Sequence, residues 1–376
     1  MMNEKHRRPL HGIRILDLTR LLPGPFATNI LGDLGAEVIK VEEKGRGDYL
    51  RWSSPARFQE INRNKKSITL NLKAPAGREV FLRLCRHADV VVESFRPGVV
   101  ARLGIGYEQV AHVQPQIIYC SLSGYGQTGP YAAVPGHDVN YTGVAGILSR
   151  SGHRQPLSPP IGDFSAALYT AISIMGAIMH REKTGEGQYI DLSITESALS
   201  LMSWYLADKE ATSAAPRAAY GVFETKDAPI TLGVIENWFW EKLCRLLQME
   251  DLLEVEAFRT FAGRNRQAQR INQRIQDVLK TKTREEWLRL FAEADLPSAP
   301  FYDWKEVEQD PHLAARGQLL KVAENRHTVL FPAQFSKLHL APYKPAPELG
   351  EDTETVLEEA GFTRENVEAL RQQGVI

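Results

Sequence analysis

The sequence carries no surplus of charge, few cysteines, no G-x-G-x-x-G in the loop after its first strand, and no uninterrupted apolar run of the roughly 18 residues a spanning helix needs. Lys and Arg together number 45 and Asp and Glu 46, a net charge of -1. No global basic field therefore points to nucleic acid, and any anion must be held by a local cluster. The three cysteines, Cys85, Cys120 and Cys244, are odd in number, widely spaced and outside any C-x-x-C pair. A closed metal site needs about four converging ligands, so the expectation is no metal and three reduced, buried thiols. The N-terminal MMNEKHRRPLHG is charged and runs into a strand pattern rather than an apolar signal core. A cytoplasmic protein with no membrane partner is expected. No internal repeat or low-complexity tract breaks the chain.

What is present is the composition of a globular protein, with 43% hydrophobic and 24% charged residues over 376 positions. At that length one core usually stops growing, so two lobes are expected. Residues 13 to 18, IRILDL, read as a strand. LLPGP then leads into a helix pattern through Leu31 and Leu34, and Val38 to Val41 reads as a second strand, completing a βαβ unit. The pattern repeats with a strand at Ser67 to Leu72, a helix at Ala76 to His87, and strands at Asp89 to Glu93 and Ile117 to Ser121. Such alternation predicts a mostly parallel α/β sheet. Asp163 to His180 is nearly all small or apolar, as in a helix buried on most of its surface. Asp191 to Tyr205 reads as a strand running into a helix. A polar stretch predicts a linker over 206–219, after a first part spanning 1–205. A small domain is expected over 220–325, with a hairpin from Tyr220 to Leu232 and helices at Glu236 to Arg245 and Arg284 to Ala294. Residues 326–376 return to the first domain, with two helices for which Thr353 and Thr363 are the candidate caps.

Several places can carry chemistry. The loop LLPGPFA, residues 21 to 27, follows the first strand, where open α/β sheets bind ligands; it is also an ordinary turn with proline opening a helix. Lys44 and Arg46, Arg63 with Lys65, and Arg96 sit near successive strand ends, where cations can meet phosphates. Taken singly, each lysine reads as surface charge. SGYGQTGP, residues 123 to 130, brings Gly124 and Gly126 to a loop that either cradles a ligand or turns a corner. His137 in PGHDVN and Asp163 in IGDF each follow a glycine. Alone, the first reads as a structural histidine and the second as a helix cap.

In LDLTRLLPGPFATNILGDLGAEVIKVE, NRNKKSITLNLK, ESFRPGVVARLGIGYE, YCSLSGYGQTGPY, PGHDVNY, GDFSAALYTAISIMGAIMHREKTGEGQYIDLS and LGEDTETVLEEAGF the chain resembles the family III CoA-transferase superfamily. That superfamily includes formyl-CoA transferase, carnitine CoA-transferase and α-methylacyl-CoA racemase. The resemblance implies a Rossmann-like large domain formed by both chain ends plus a small α/β domain, and a homodimer of interlocked subunits. It implies an acyl-CoA thioester as substrate, with no cofactor beyond that CoA. The CoA would be met by Arg20, Lys44, Arg46, Arg63, Lys65, Arg96, Gly124 and Gly126. Glu43 stands where formyl-CoA transferase has an arginine, so Lys44 or Arg46 would supply that charge. Asp163 matches the catalytic aspartate of the family, which is a nucleophile in the transferases. In the racemase it works with a histidine, matched by His137, and a glutamate, matched by Glu236.

Two acid/base groups flanking C2 would invert a 2-methylacyl-CoA through an enolate, and a helix N-terminus behind Asp163 would favour its ionised form. LPGP in place of the transferase QAGP, together with His137 and Glu236, leads to the expectation of a racemase. CoA transfer through an anhydride and an aspartyl-CoA thioester is the alternative, and a non-catalytic acyl-CoA scaffold the third reading.

Overall fold

Strand β1 (Arg14–Leu18) is buried on both faces, as its run of apolar residues requires in a parallel sheet. It pairs in parallel with β2 (Glu37–Glu42) on one side and β4 (Val90–Glu93) on the other. With β3 (Lys65–Thr69), β5 (Ile118–Ser123) and β6 (Gln188–Ser193) the sheet has six strands in the order β3-β2-β1-β4-β5-β6, the doubly wound order. Strand order reverses between β1 and β4. A crevice is therefore expected outside their carboxyl ends. These features come from a computed structural model that describes residues 8–151, 155–207, 216–324 and 326–376.

The period of two along the strands divides the core. Leu16, Leu18, Ile39 and Val91 face one layer with Phe81, while Ile15, Val38, Val90 and Val92 face the other with Ala166, Ala171 and Ile174. The chain's end joins the first layer: Val356, Leu357, Val367 and Ile376 are buried there. The Asp352 carboxylate accepts the Ser67 N–H at 2.8 Å, and Val375 O accepts the Asn71 N–H at 2.7 Å. Thr363 caps the last helix by accepting the Asn366 N–H. Thr353 caps nothing; its hydroxyl donates to Gly350 O and accepts from Thr69 N–H, tying helix to strand.

The longest helix, Ile161–Thr184, is the one helix among the described residues long and apolar enough to cross a membrane. Half of its most apolar stretch is buried inside the protein, where Ala166, Ala167, Thr170 and Ile174 pack on the fold's core, so it reads as a core helix. The three cysteines are buried free thiols.

The chain divides into two compact units, Met1–Ala211 with Phe331–Ile376, and Thr212–Leu330. The expected linker 206–219 falls largely on 208–215, outside the described residues. The return to the first unit comes later than the expected 326, because Arg326–Val329 pairs antiparallel with Leu319–Ala323 inside the second. The predicted hairpin is Tyr220–Phe223 with Ile230–Gly233, and Ser298–Pro300 adds a third strand. Helices Asn237–Leu246, Ala268–Leu279 and Arg284–Glu293 bury Trp240, Ile271, Ile275 and Phe291 in a core of their own. The middle helix is absent from the sequence expectations.

Candidate active site

At the carboxyl ends of β1, β4 and β5 the first unit opens a cavity of about 530 Å³, walled by Arg20, Ser94, Phe95, Arg96, Gly124, His137, Tyr141 and Asp163 among others. The loop after β1 forms one wall. There Leu21 adopts φ 63°, a left-handed conformation uncommon for a side chain of its size, and Pro23 opens helix α1 (Pro23–Asp33).

A buried polar network holds this turn. Lys65 Nζ lies 2.9 Å from Asp17 and donates to Pro25 O at 3.0 Å, Thr28 Oγ1 at 2.8 Å and Asn62 Oδ1 at 2.9 Å. Lys40 Nζ pairs with Asp48 at 3.0 Å and donates to Thr19 O at 2.8 Å, while Asp48 Oδ1 accepts the Leu21 N–H at 3.2 Å. Burial works to raise Asp17, yet Lys65 and Lys40 with the threonine hydroxyls hold it below the usual carboxylate range. Burial brings Lys65 down to about 8.

The expected phosphate contacts at Lys65 and Arg63 are thereby corrected. The Lys65 side chain is fully buried with four oxygen partners, and the Arg63 guanidinium is buried in a two-pronged pair with Asp33, at 2.7 and 3.2 Å. Neither can reach a ligand without giving up a buried partner, which is costly. Lys44 and Arg46 are exposed on the turn after β2 and do not line the cavity. Arg20 and Arg96 do line it. The Arg20 guanidinium lies 5.5 Å from the Tyr49 ring centre and 5.4 Å from that of Phe95, and 4.0 Å from Glu43. Glu43, which stands where formyl-CoA transferase has an arginine, thus faces a cation from the neighbouring strand end.

Arg96 stands on a turn fixed from below. The buried Glu93 carboxylate, pushed up to about 7 by burial, accepts the Phe95 N–H at 2.7 Å. Ser94 Oγ accepts the Arg20 N–H at 3.2 Å, so the loops after β1 and β4 are tied together.

Gly124 lies on the cavity wall because nothing larger fits: a Cβ there would sit 2.4 Å from the Tyr141 ring. Gly126 is buried, off the wall, where it turns the chain so that the Gln127 N–H reaches Asp191 at 3.0 and 3.1 Å. Its expected ligand contact gives way to this internal one.

His137 and Asp163 line the same cavity. His137 precedes the short helix Asp138–Val144, and its N–H donates to Asn140 Oδ1 at 3.0 Å. Asp163 sits in the first turn of Ile161–Thr184, where its N–H donates to Asp138 Oδ1 at 3.0 Å. The helix N-terminus was expected to favour the ionised form, but the carboxyl is pushed up to about 7, by burial first and by the Asp138 charge second. Glu236 lies in the second unit, half-buried at the start of helix Asn237–Leu246.

Sequence reasoning passed over Tyr141, Asp138 and Glu93. Tyr141 was findable, since it falls four residues after His137, one helical turn away. Its hydroxyl, raised to about 12 by burial and the Asp163 charge, donates to Gly136 O and so holds the turn before His137. Glu93 ends a strand like any surface acid, and only the fold buries it.

Residues 10–353 match the family described as CoA-transferase family III. The chain is 34% identical to a succinyl-CoA:glutarate CoA-transferase of Homo sapiens, over 94% of this chain and 86% of that one. It is 32% identical to an alpha-methylacyl-CoA racemase of Homo sapiens, over 98% of this chain and 97% of that one. Among solved structures, a CAIB/BAIF family protein from Brucella suis superposes with a TM-score of 0.83 at 30% identity, covering 94% of this chain and 99% of that one. The protein belongs to CoA-transferase family III.

Proposed function

We propose that the protein is a cytoplasmic, homodimeric CoA-transferase that moves CoA between an acyl-CoA thioester and a carboxylic acid through covalent intermediates on Asp163. The observation that carries this reading is the Asp163 carboxyl, poised near neutrality in the first turn of a half-buried helix and lining a cavity that also presents Arg20 and Arg96. A carboxyl titrating at about 7 is substantially ionised at neutral pH and more basic than an ordinary carboxylate, which suits a nucleophile.

An Asp163 oxygen attacks the thioester carbonyl and CoA leaves as the thiolate, giving a mixed anhydride. The thiolate then attacks the Asp163 carbonyl and the first acid departs as its carboxylate, leaving an aspartyl-CoA thioester. The acceptor carboxylate attacks that carbonyl, expels the thiolate and forms a second anhydride. Attack of the thiolate on the new acyl carbonyl completes the transfer and frees Asp163. N–H groups of the glycine loop starting at Gly124 would receive the oxyanions, and Arg20, Arg96, Lys44 and Arg46 are the cations available for CoA phosphates. The similarity to a succinyl-CoA:glutarate CoA-transferase favours small dicarboxylic acids as acyl donors and acceptors. A second carboxylate on such an acid suits a guanidinium of the cavity.

Racemisation of a 2-methylacyl-CoA, the leading expectation from the sequence, becomes the second reading. It is favoured by one observation, that His137 and Asp163 line one cavity, with Glu236 as the third proposed residue. The two are separated by offering succinyl-CoA with isotopically labelled glutarate and, in parallel, 2-methylacyl-CoA in deuterated water. Labelled glutaryl-CoA, and a hydroxamate on Asp163 after hydroxylamine treatment, are expected. Deuterium at C2 with no CoA transfer across a panel of acids would sink the proposal, and neither activity would leave the scaffold reading.

A further inference from the structure

Asp138 comes from a different element than Asp163, 25 residues earlier, yet its Oδ1 accepts the Asp163 N–H at 3.0 Å. That N–H is one of the unpaired donors of the helix Ile161–Thr184, so Asp138 caps this helix from outside it. Pro160, at the cap position in sequence, has no side chain able to do so. The approach is also enforced sterically. A Cβ on Gly162 would lie 2.9 Å from Asp138 Oδ1 and 3.1 Å from Thr142, so glycine is the residue that lets the carboxylate come in.

From this geometry we infer that Asp138 is a positioning residue for Asp163, fixing the first turn that carries the nucleophile and setting the charge it works against. The inference rests on Asp163 being the reacting group. A carboxylate is a costly choice for the cap alone, because it places a negative charge beside the carboxylate it orients. Asparagine would accept the same hydrogen bond without that charge. The extra charge makes Asp163 a stronger base and nucleophile than burial alone would.

Other titratable groups surround Asp163, and they are accounted for. His137 and Tyr141 share its wall, and Tyr141 donates to Gly136 O. Arg20 and Arg96 line the same cavity. On the elements packed against the helix, Asp33 of α1 is taken by Arg63, Asp191 of β6 accepts from Gln127 N–H, and Glu196 lies in the first turn of Ile194–Leu201. After burial, it is the Asp138 charge that raises Asp163.

The test compares Asp138→Asn, Asp138→Ala and Asp163→Asn by pH profiles of kcat/KM for the overall CoA-ester reaction, with thermal melting as the fold check. Asp138→Asn is expected to keep KM within about threefold while its acid limb moves down by on the order of one pH unit. Asp138→Ala should show the same limb shift plus a fall in kcat of about tenfold or more, since the first turn loses its cap. An unmoved limb in Asp138→Asn, with Asp163→Asn inactive, overturns the inference and leaves the role of Asp163 intact. Full activity in Asp163→Asn overturns the reading beneath it.

Discussion

The Asp163 carboxyl is harder to ionise in the folded protein than in the unfolded chain. Its folded carboxyl titrates at about 7 against an ordinary 3.8, so the folded state holds the proton more tightly than the unfolded chain. The group therefore favours folding at low pH, and this contribution is lost as pH rises from about 4 through 7. Asp163→Asn should accordingly melt higher than wild type at pH 8, by a few degrees, and the gain should shrink at pH 5. Calorimetry at the two values checks it; a lower melting point at pH 8 would contradict the burial argument. The sequence already singled out His137 and Asp163 by their glycine neighbours and family motifs. It could not report the carboxyl's environment, because Asp138 and the covering apolar groups reach it only through the fold.

Among the elements, the turn from Ile230–Gly233 into helix Asn237–Leu246 rests on an unusual support. Arg264 is fully buried, donating to Ile235 O at 2.6 Å, Asn237 Oδ1 at 2.8 Å and Phe258 O at 3.0 Å, with no carboxylate among these partners. Its Nε has no hydrogen-bond partner among the described residues, and burial lowers its affinity for the proton. Removing a buried charge that has no counterion relieves its desolvation cost, which offsets the hydrogen bonds given up. Two of the Arg264 acceptors, on Ile235 and Asn237, flank Glu236. Under the racemase reading, in which Glu236 takes part, Arg264→Met is expected to shift the melting point by less than about 4 °C while kcat for C2 inversion falls tenfold or more through a loosened Glu236 turn. Melting curves and steady-state kinetics read the two separately, and unchanged kcat would reduce Arg264 to packing. The hydrophobic pattern predicted the helix on one side of this turn. The arginine, 29 residues from Ile235, carried no signal.

At the scale of the whole molecule, helix Ile161–Thr184 buries one face and leaves Leu168, Tyr169, Ile172 and Met179 exposed along another. Contiguous exposed apolar side chains on a helix mark an interaction surface, and the proposed homodimer supplies an identical partner for it. The purified protein should sediment at twice the mass of one chain. Ile172→Glu, 56% exposed in the single chain and so harmless to its core, should yield monomer. A wild-type monomer, or an undisturbed dimer in the variant, would remove this face from the assembly. The chain's two-ended first unit was legible from the family motifs at both ends. The late crossing at Phe331 was not, since it depends on the pairing of two strands of five and four residues, too short to announce themselves by periodicity.

By itself the sequence determined the family, the alternating α/β order and the pair His137 and Asp163, because periodicity and local motifs are written in neighbouring residues. The tertiary structure decided which cations are free. Lys65 and Asp17 are 48 positions apart and Arg63 and Asp33 30, and only the folded sheet closes those distances. Two lysine- and arginine-rich positions that look like phosphate ligands in the chain become buried counterions, while Arg20 and Arg96 remain at the cavity.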